Sequence, residues 1–316
     1  MPSKSSLLML ARLVSLLFML HTALGQQQQQ QPELFAPGVI SIGAATTYRP
    51  AFMPDGHTVY YTMEVGSDYV ILISRLKRGR WTQPEIAPFS GRYSDAEPFI
   101  SPDGSKLVFA SKRPIVEGAG PKKDYDLWMV KRERGGSWSA PVRLDESINT
   151  DAHELYPALA SDGSLYFSRF APGGIWRASL AGGHYEAPVK LSGPINADRK
   201  EAGAYVAPDQ RYIIFEAKGA DSLGGTDFYI SYRQGADEWT APRNLGAPIN
   251  SSAEETCAVI SPDGRFLFFA SNRQLPEAKV SLGQNLKYAE MLSRLNSPGR
   301  GRWHIYYIST GGLNLK

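Results

Sequence analysis

A turn built on Asp-Gly returns about every fifty residues and governs what this chain can fold into. It occurs as Pro54-Asp55-Gly56, Pro102-Asp103-Gly104, Asp162-Gly163, Pro208-Asp209-Gln210 and Pro262-Asp263-Gly264, with Asp-to-Asp steps of 48, 59, 47 and 54 residues. A second marker, an aromatic residue followed three positions later by proline, runs in phase as Trp81…Pro84, Trp138…Pro141, Tyr185…Pro188 and Trp239…Pro242. A third is Ile148-Asn149, Ile195-Asn196 and Ile249-Asn250, each ending five residues before a glutamate, Glu154, Glu201 and Glu255. Three markers in phase demand a repeat architecture.

Each unit reads as strands. Glu97–Ile100, the Ser101–Gly104 turn and Leu107–Ala110 form a hairpin pattern, with proline and Asp-Gly in turn positions. Asp126–Val130 supplies a third, apolar strand, and Pro141–Leu144 a fourth, outer one. An aromatic content of 11% agrees with strands. Four antiparallel strands per unit, repeated radially, predict an all-β fold, a single β-propeller of five four-stranded blades. The last unit ends without its aromatic-x-x-Pro marker. The stretch Phe35–Ile40 precedes the first hairpin, and Pro37 to Pro84 is 47 residues, another repeat step. The N-terminal strand is therefore expected to complete the last blade and close the ring. Six blades are the alternative, with a degenerate blade inside 274–300. The domain reading is a leader at 1–25, a Gln-rich disordered stretch at 26–34 and the propeller at 35–316.

The run Glu97-Pro98-x-x-Ser101-Pro102-Asp103-Gly104-x-x-Leu107-x-Phe109-x-Ser111-x-Arg113 and its copy Ser261-Pro262-Asp263-Gly264…Phe269-x-Ser271-x-Arg273 resemble the TolB-like β-propeller repeats, also described as WD40-like repeats. The resemblance spans 35–316. It implies the fold strongly and function weakly, since such propellers include periplasmic partner-binding proteins and modules fused to wall-binding or serine-hydrolase domains. The repeats take up all of 35–316, so neither of those fused roles carries over.

Lys4 and Arg12 accompany an apolar run from Leu7 to Leu20 that ends in Ala23-Leu24-Gly25. This is the pattern of a secretory leader cleaved near Gly25. Its uninterrupted part, Leu13–Leu20, is far shorter than the ~20 residues a spanning helix needs. A periplasmic or secreted monomer with no membrane span is expected. With 34 Lys plus Arg against 31 Asp plus Glu, the near-neutral balance argues against a nucleic-acid or membrane-surface partner. The single cysteine, Cys257, excludes an internal disulfide and a thiolate zinc site, and reads as a small buried residue.

Aligned on the turn Asp, the residues Thr47, Asp95, Glu154, Glu201 and Glu255 share a column, and Arg49, Glu97, Tyr156, Gly203 and Cys257 share the column two residues on. Strand periodicity places both columns on one face. The first column predicts a ring of four carboxylates at one mouth of the channel, suited to a cationic group of a partner or, more weakly, to calcium. A salt-bridged rim is the competing expectation, because Arg113, Arg169, Lys218 and Arg273 end the second strands on that side. The candidate ligand-binding set is Asp95, Glu97, Glu154, Tyr156, Glu201 and Glu255 with Arg49, Arg113, Arg169 and Arg273. No other cofactor is expected. Long second-to-third-strand loops, 112–125, 218–226 and 274–302, gather on the same face, where binding usually resides. The largest holds a helix-period stretch over 285–295 with apolar positions 288, 291, 292 and 295, expected to pack on its own blade.

No Gly-x-Ser-x-Gly elbow occurs, His153-Glu154 lacks a second histidine at helical spacing, and the Ser-Pro-Asp-Gly turns differ from sialidase boxes. The expectation is a non-catalytic, exported propeller that engages a protein segment or glycan of the cell envelope through this acidic face. The alternative is a carbohydrate-active hydrolase or lyase working with channel-mouth carboxylates such as Asp95 and Glu154.

Overall fold

Five sheets are each built on four short antiparallel strands; the first carries an extra strand, Arg80–Trp81, and Leu180–Ala181 pairs with His184–Tyr185 as a small two-stranded sheet of its own. The computed structural model describes residues 30–197, 200–276, 287–313 and 315, so the leader-like segment 1–25 lies outside the described residues. Innermost strands are Thr47–Phe52, Asp95–Ile100, Glu154–Leu159, Ala202–Val206 and Glu255–Ile260. Each neighbours the innermost strand of the blade before and after it, and Thr47–Phe52 lies against Glu255–Ile260. The ring is closed. We number the blades I to V in chain order.

Closure falls where the repeat arithmetic places it, a little earlier in the chain than expected. Glu33–Leu34 pairs with His304–Ser309 of blade V, Leu34 opposite Tyr306, and Phe35 N–H donates to Ile305 O at 2.9 Å. Phe35 is buried edge-on against Phe52, Trp81 and Phe268, with ring centres 5.8, 5.3 and 5.1 Å away. The strand thus ties blade V to blade I by packing as well as by hydrogen bonds. The described part of 274–300 forms no sixth sheet. It carries the helix Tyr288–Leu295, with Tyr288 71% and Leu292 38% exposed. Those two apolar positions therefore do not pack on the blade. The chain beyond the helix instead closes on the segment that leads into blade I, at Gly43, where an added Cβ would fall 1.6 Å from Asn296 O.

The repeat markers have local chemical reasons. Asp55, Asp103, Asp162, Asp209 and Asp263 each accept a hydrogen bond from the backbone N–H two residues on, at 2.8–3.2 Å, which fixes the hairpin turn. Asn149, Asn196 and Asn250 each accept from and donate to the backbone of a third-strand residue, Leu127, Ile175 and Phe228. One side-chain amide so replaces a missing backbone partner at the strand edge. The neighbouring Ile148, Ile195 and Ile249 are buried.

Candidate functional site

The two columns part company. Every innermost strand carries a register shift against its hairpin partner, and the second-column residue at that shift has a left-handed backbone. The φ values are +38° at Arg49, +57° at Glu97, +54° at Tyr156, +58° at Gly203 and +62° at Cys257. A bulge re-aims a side chain, so the expectation that both columns share a face does not hold.

First-column carboxylates turn into their own blades. Asp95 Oδ1 accepts from Ser111 Oγ at 2.6 Å and from Arg113 Nη2 at 2.8 Å, while Arg113 also donates to Phe89 O at 3.0 Å. Glu255 Oε1 accepts from Ser271 Oγ and Arg273 Nη2, both at 2.9 Å, and Arg273 reaches the carbonyls of Pro248 and Ile249. Glu154 Oε1 accepts from Arg169 Nε at 3.0 Å, and Arg169 Nη2 donates to Ile148 O at 2.8 Å. These acid–arginine latches join the inner strand, the second strand and the interblade segment. Asp95, Glu154 and Glu255 are completely buried. Burial pushes the Asp95 and Glu154 carboxyls up despite their arginines. Glu201, also buried, accepts from Ala197 N–H at 2.8 Å, and Lys218 is exposed. Among the described residues no three His, Cys, Asp or Glu side chains gather as metal ligands would.

Second-column side chains meet at the axis. Cys257 Sγ of blade V lies 3.6 Å from Glu97 Oε2 of blade II, and Arg49 Nη2 of blade I donates to Pro157 O of blade III at 2.6 Å. Both contacts join blades that are not neighbours. Arg49 has no solvent exposure, sits between the rings of Phe99 and Tyr156 at 5.8 Å from each centroid, and pairs with Glu97 at 3.6 Å. Gly203 leaves a gap that Glu216 of the second strand fills, since a Cβ on Gly203 would fall 1.7 Å from Glu216 Oε1. That oxygen accepts from Thr256 Oγ1 at 2.7 Å and Cys257 N–H at 2.9 Å. The position of Glu216 corresponds to Thr62 and Ser168 in blades I and III, whose hydroxyls accept from Glu97 N–H and Gly203 N–H of the next blade. One second-strand position thus stitches neighbouring blades at the bulge.

Above this cluster, on the loop-rich face, opens a pocket of about 330 Å³. Glu97, Tyr156, Glu216 and Cys257 line it together with Tyr48, Tyr69, Tyr125 and Trp303. Burial pushes Glu97 up from 4.5 to about 7; the Arg49 guanidinium opposes this and Glu216 adds to it. Glu216 is also raised, by burial against its hydrogen bonds from Cys257 and Thr256. The Cys257 thiol is driven well above its usual range by burial and the two glutamates, which disfavours the nucleophilic thiolate.

Compared with solved structures, the chain is similar to an α-L-arabinofuranosidase from Podospora anserina in complex with cellotriose. Identity is 14%, covering 89% of this chain and 96% of that one, with a TM-score of 0.52. A GH62 hydrolase in complex with xylotriose gives 10% identity, coverage of 89% and 98%, and the same TM-score of 0.52. The chain is a five-bladed β-propeller. A putative TolB from Agrobacterium tumefaciens is similar at 16% identity over 84% of this chain and 90% of that one, with a TM-score of 0.48. No family model matches the propeller, and no curated protein sequence matches it. At such identities the likeness shows the fold alone.

Of the residues singled out in the sequence, the propeller brings Arg49, Glu97 and Tyr156 together on its axis, with Cys257. It places Asp95, Glu154 and Glu255 with Arg113, Arg169 and Arg273 in latches, Glu255 also lining the axial pocket, and sets Glu201 and Arg169 beside a cleft off the axis. Glu216 and the aromatic wall were missed. A signal for Glu216 existed: Gly203 is the one member of its column without a side chain, and a gap in a ring around a packed axis must be filled from elsewhere.

Proposed function

We propose that the propeller is an exported, non-catalytic binding protein that takes one sugar residue of a glycan into the axial pocket. The observation that carries this is the makeup of the axial pocket, where the buried carboxyls of Glu97 and Glu216 stand beside a wall of aromatic rings. A protonated carboxyl both donates and accepts, which suits sugar hydroxyls. The half-buried rings of Tyr48, Tyr69 and Trp303 offer apolar faces beside it. The pocket volume falls within the roughly 300–1,000 Å³ of small-molecule sites. Export is supported by the leader-like composition of residues 1–25.

Titration calorimetry against neutral and acidic oligosaccharides tests the reading. Saturable binding is expected, lost in Glu216→Gln with Tyr156→Phe, and with no new reducing ends on prolonged incubation. One observation favours a second reading: Glu97 near 7 sits where a general acid works best at neutral pH. Glycoside turnover abolished by Glu97→Gln would establish that second reading, and failure of every sugar to bind would overturn the first.

A further inference from the structure

Beside the axial pocket lies a second cleft, of about 410 Å³, between Phe170–Gly174 of blade III and Asn196 with Lys200–Ala202 leading into blade IV. It exists because blade III turns from its second to its third strand in the few residues after Arg169, where blade II spends the whole of 112–125. The wall that a longer loop would form is missing. Gly174, at φ +99°, makes the cleft possible: a Cβ there would fall 2.5 Å from Asn196 Oδ1 and 2.6 Å from Lys190 Cε. The bare glycine lets Asn196 tie down the third strand and lets the aliphatic stem of Lys190 lie across the backbone into the cleft.

The charges here are unevenly committed. Arg169 spends Nε and Nη2 on Glu154, Ile148 and Ser147, and Glu201 is buried with one oxygen on Ala197 N–H. Lys190 and Lys200 are exposed, line the cleft, and have no ion-pair partner among the described residues. The cleft and the axial pocket share an aromatic divide. Tyr156 lines the pocket, Phe170 lines the cleft, and the two rings stack at 6.5 Å and 22°. Phe170 is 52% exposed, an apolar ring face with no core to join.

We infer that this cleft is an anion subsite for the carboxylate of a uronic-acid residue next to the sugar held at the axis. The sugar ring lies against Phe170 and the carboxylate meets Lys190 and Lys200. The inference rests on the axial-pocket reading and narrows its ligand to an acidic glycan. A ring with one planar carboxylate matches an apolar face bordered by two cations, whereas the axial pocket, lined by the buried carboxyls of Glu97 and Glu216, suits hydroxyls.

The test is calorimetric titration of the full protein at low salt with three probes: trigalacturonic acid, its fully methyl-esterified form and xylotriose. The acid is expected to bind about tenfold more tightly than its ester. That difference should close in about 0.5 M NaCl, where exposed charges are screened within a few ångströms. In Lys190→Gln with Lys200→Gln, acid and ester should bind alike and as the ester binds wild type. Both lysines are exposed, so folding of the variant is expected to be unchanged, and its thermal midpoint checks this. Equal binding of acid and ester to wild type, or an unaltered preference in the double variant, would overturn the subsite while leaving the axial reading standing. Absence of binding by all three probes would also overturn the subsite, while the axial reading falls only when every sugar tested against it fails to bind.

Discussion

Gly203 shows how one missing side chain organises the centre of this molecule. Its left-handed φ of +58° is unfavourable for any residue with a Cβ, and the space a Cβ would occupy holds Glu216. Gly203→Ala is therefore expected to expel Glu216 from the axis and leave Cys257 N–H and Thr256 Oγ1 without their acceptor. The backbone strain costs about 1–2 kcal/mol and each orphaned polar group about 1–3 kcal/mol. Urea denaturation should show that loss together with abolished sugar binding, and unchanged binding would mean that Glu216 does not serve the pocket. The latches call for a different magnitude. Removing one partner of a buried ion pair leaves an uncompensated charge, which costs about 3–5 kcal/mol, against ~0–1 kcal/mol for an exposed rim pair. Arg113→Ala, which strands the fully buried Asp95, is expected at the upper scale by chemical denaturation. A loss below ~1 kcal/mol would restore the rim description.

Among the elements, the two-residue strand Glu33–Leu34 does more than its length suggests. It covers the edge of His304–Ser309 and delivers Phe35 into the aromatic cluster between blades V and I. Phe35→Ala is expected to cost about 3–5 kcal/mol through the cavity it leaves. A chain lacking everything through Phe35 is expected to lose its cooperative melt and to aggregate through the uncovered strand edge, measured by calorimetry and light scattering. An unaltered melt would show that closure does not depend on this strand. The blades themselves were legible in the sequence because their markers act locally. A turn Asp bonds two residues along its own chain, and the Asn of each Ile-Asn pair bonds one neighbouring strand, so spacing alone exposes them. The site was legible only in part. Arg49, Glu97, Tyr156 and Cys257 stand out as a column, yet period two assigns them the same face as Asp95, Glu154 and Glu255. That rule assumes extended backbone, and the register shift at each second-column residue breaks it. Of the wall residues, Tyr69, Tyr125 and Trp303 hold one register position at the start of the third strand in blades I, II and V, but second-to-third-strand loops of unequal length hide it from any fixed spacing.

At the scale of the whole molecule, all five blades contribute a residue to one cluster on the axis. Arg49, Glu97, Tyr156, Gly203 with Glu216, and Cys257 come from blades I to V in turn. A packed axis filled by one cation, two carboxyls, a phenol and a thiol makes the stability of the ring a function of pH. Glu97 titrates near 7 in the folded protein and near 4.5 as an ordinary carboxyl, so between those values the folded state holds a proton that the unfolded state has lost. The stabilisation linked to that proton is fully present below about 4.5 and disappears as pH rises through about 7. Glu216, raised by the same burial, acts in the same sense. His304 acts in the opposite sense: it is buried in blade V with neither ring nitrogen hydrogen-bonded, and burial lowers it to about 4, so its contribution fades as pH falls below about 6.5. The two effects separate by substitution. In Glu97→Gln the fall that Glu97 contributes between about pH 4.5 and 7 should be lost, leaving the rise with pH that His304 contributes between about 4 and 6.5. Thermal melts of wild type and Glu97→Gln across that range measure the difference directly. Parallel profiles would mean that Glu97 is ionised throughout, paired to Arg49 as a salt bridge, and that the axis offers a ligand a fixed negative charge in place of a neutral carboxyl.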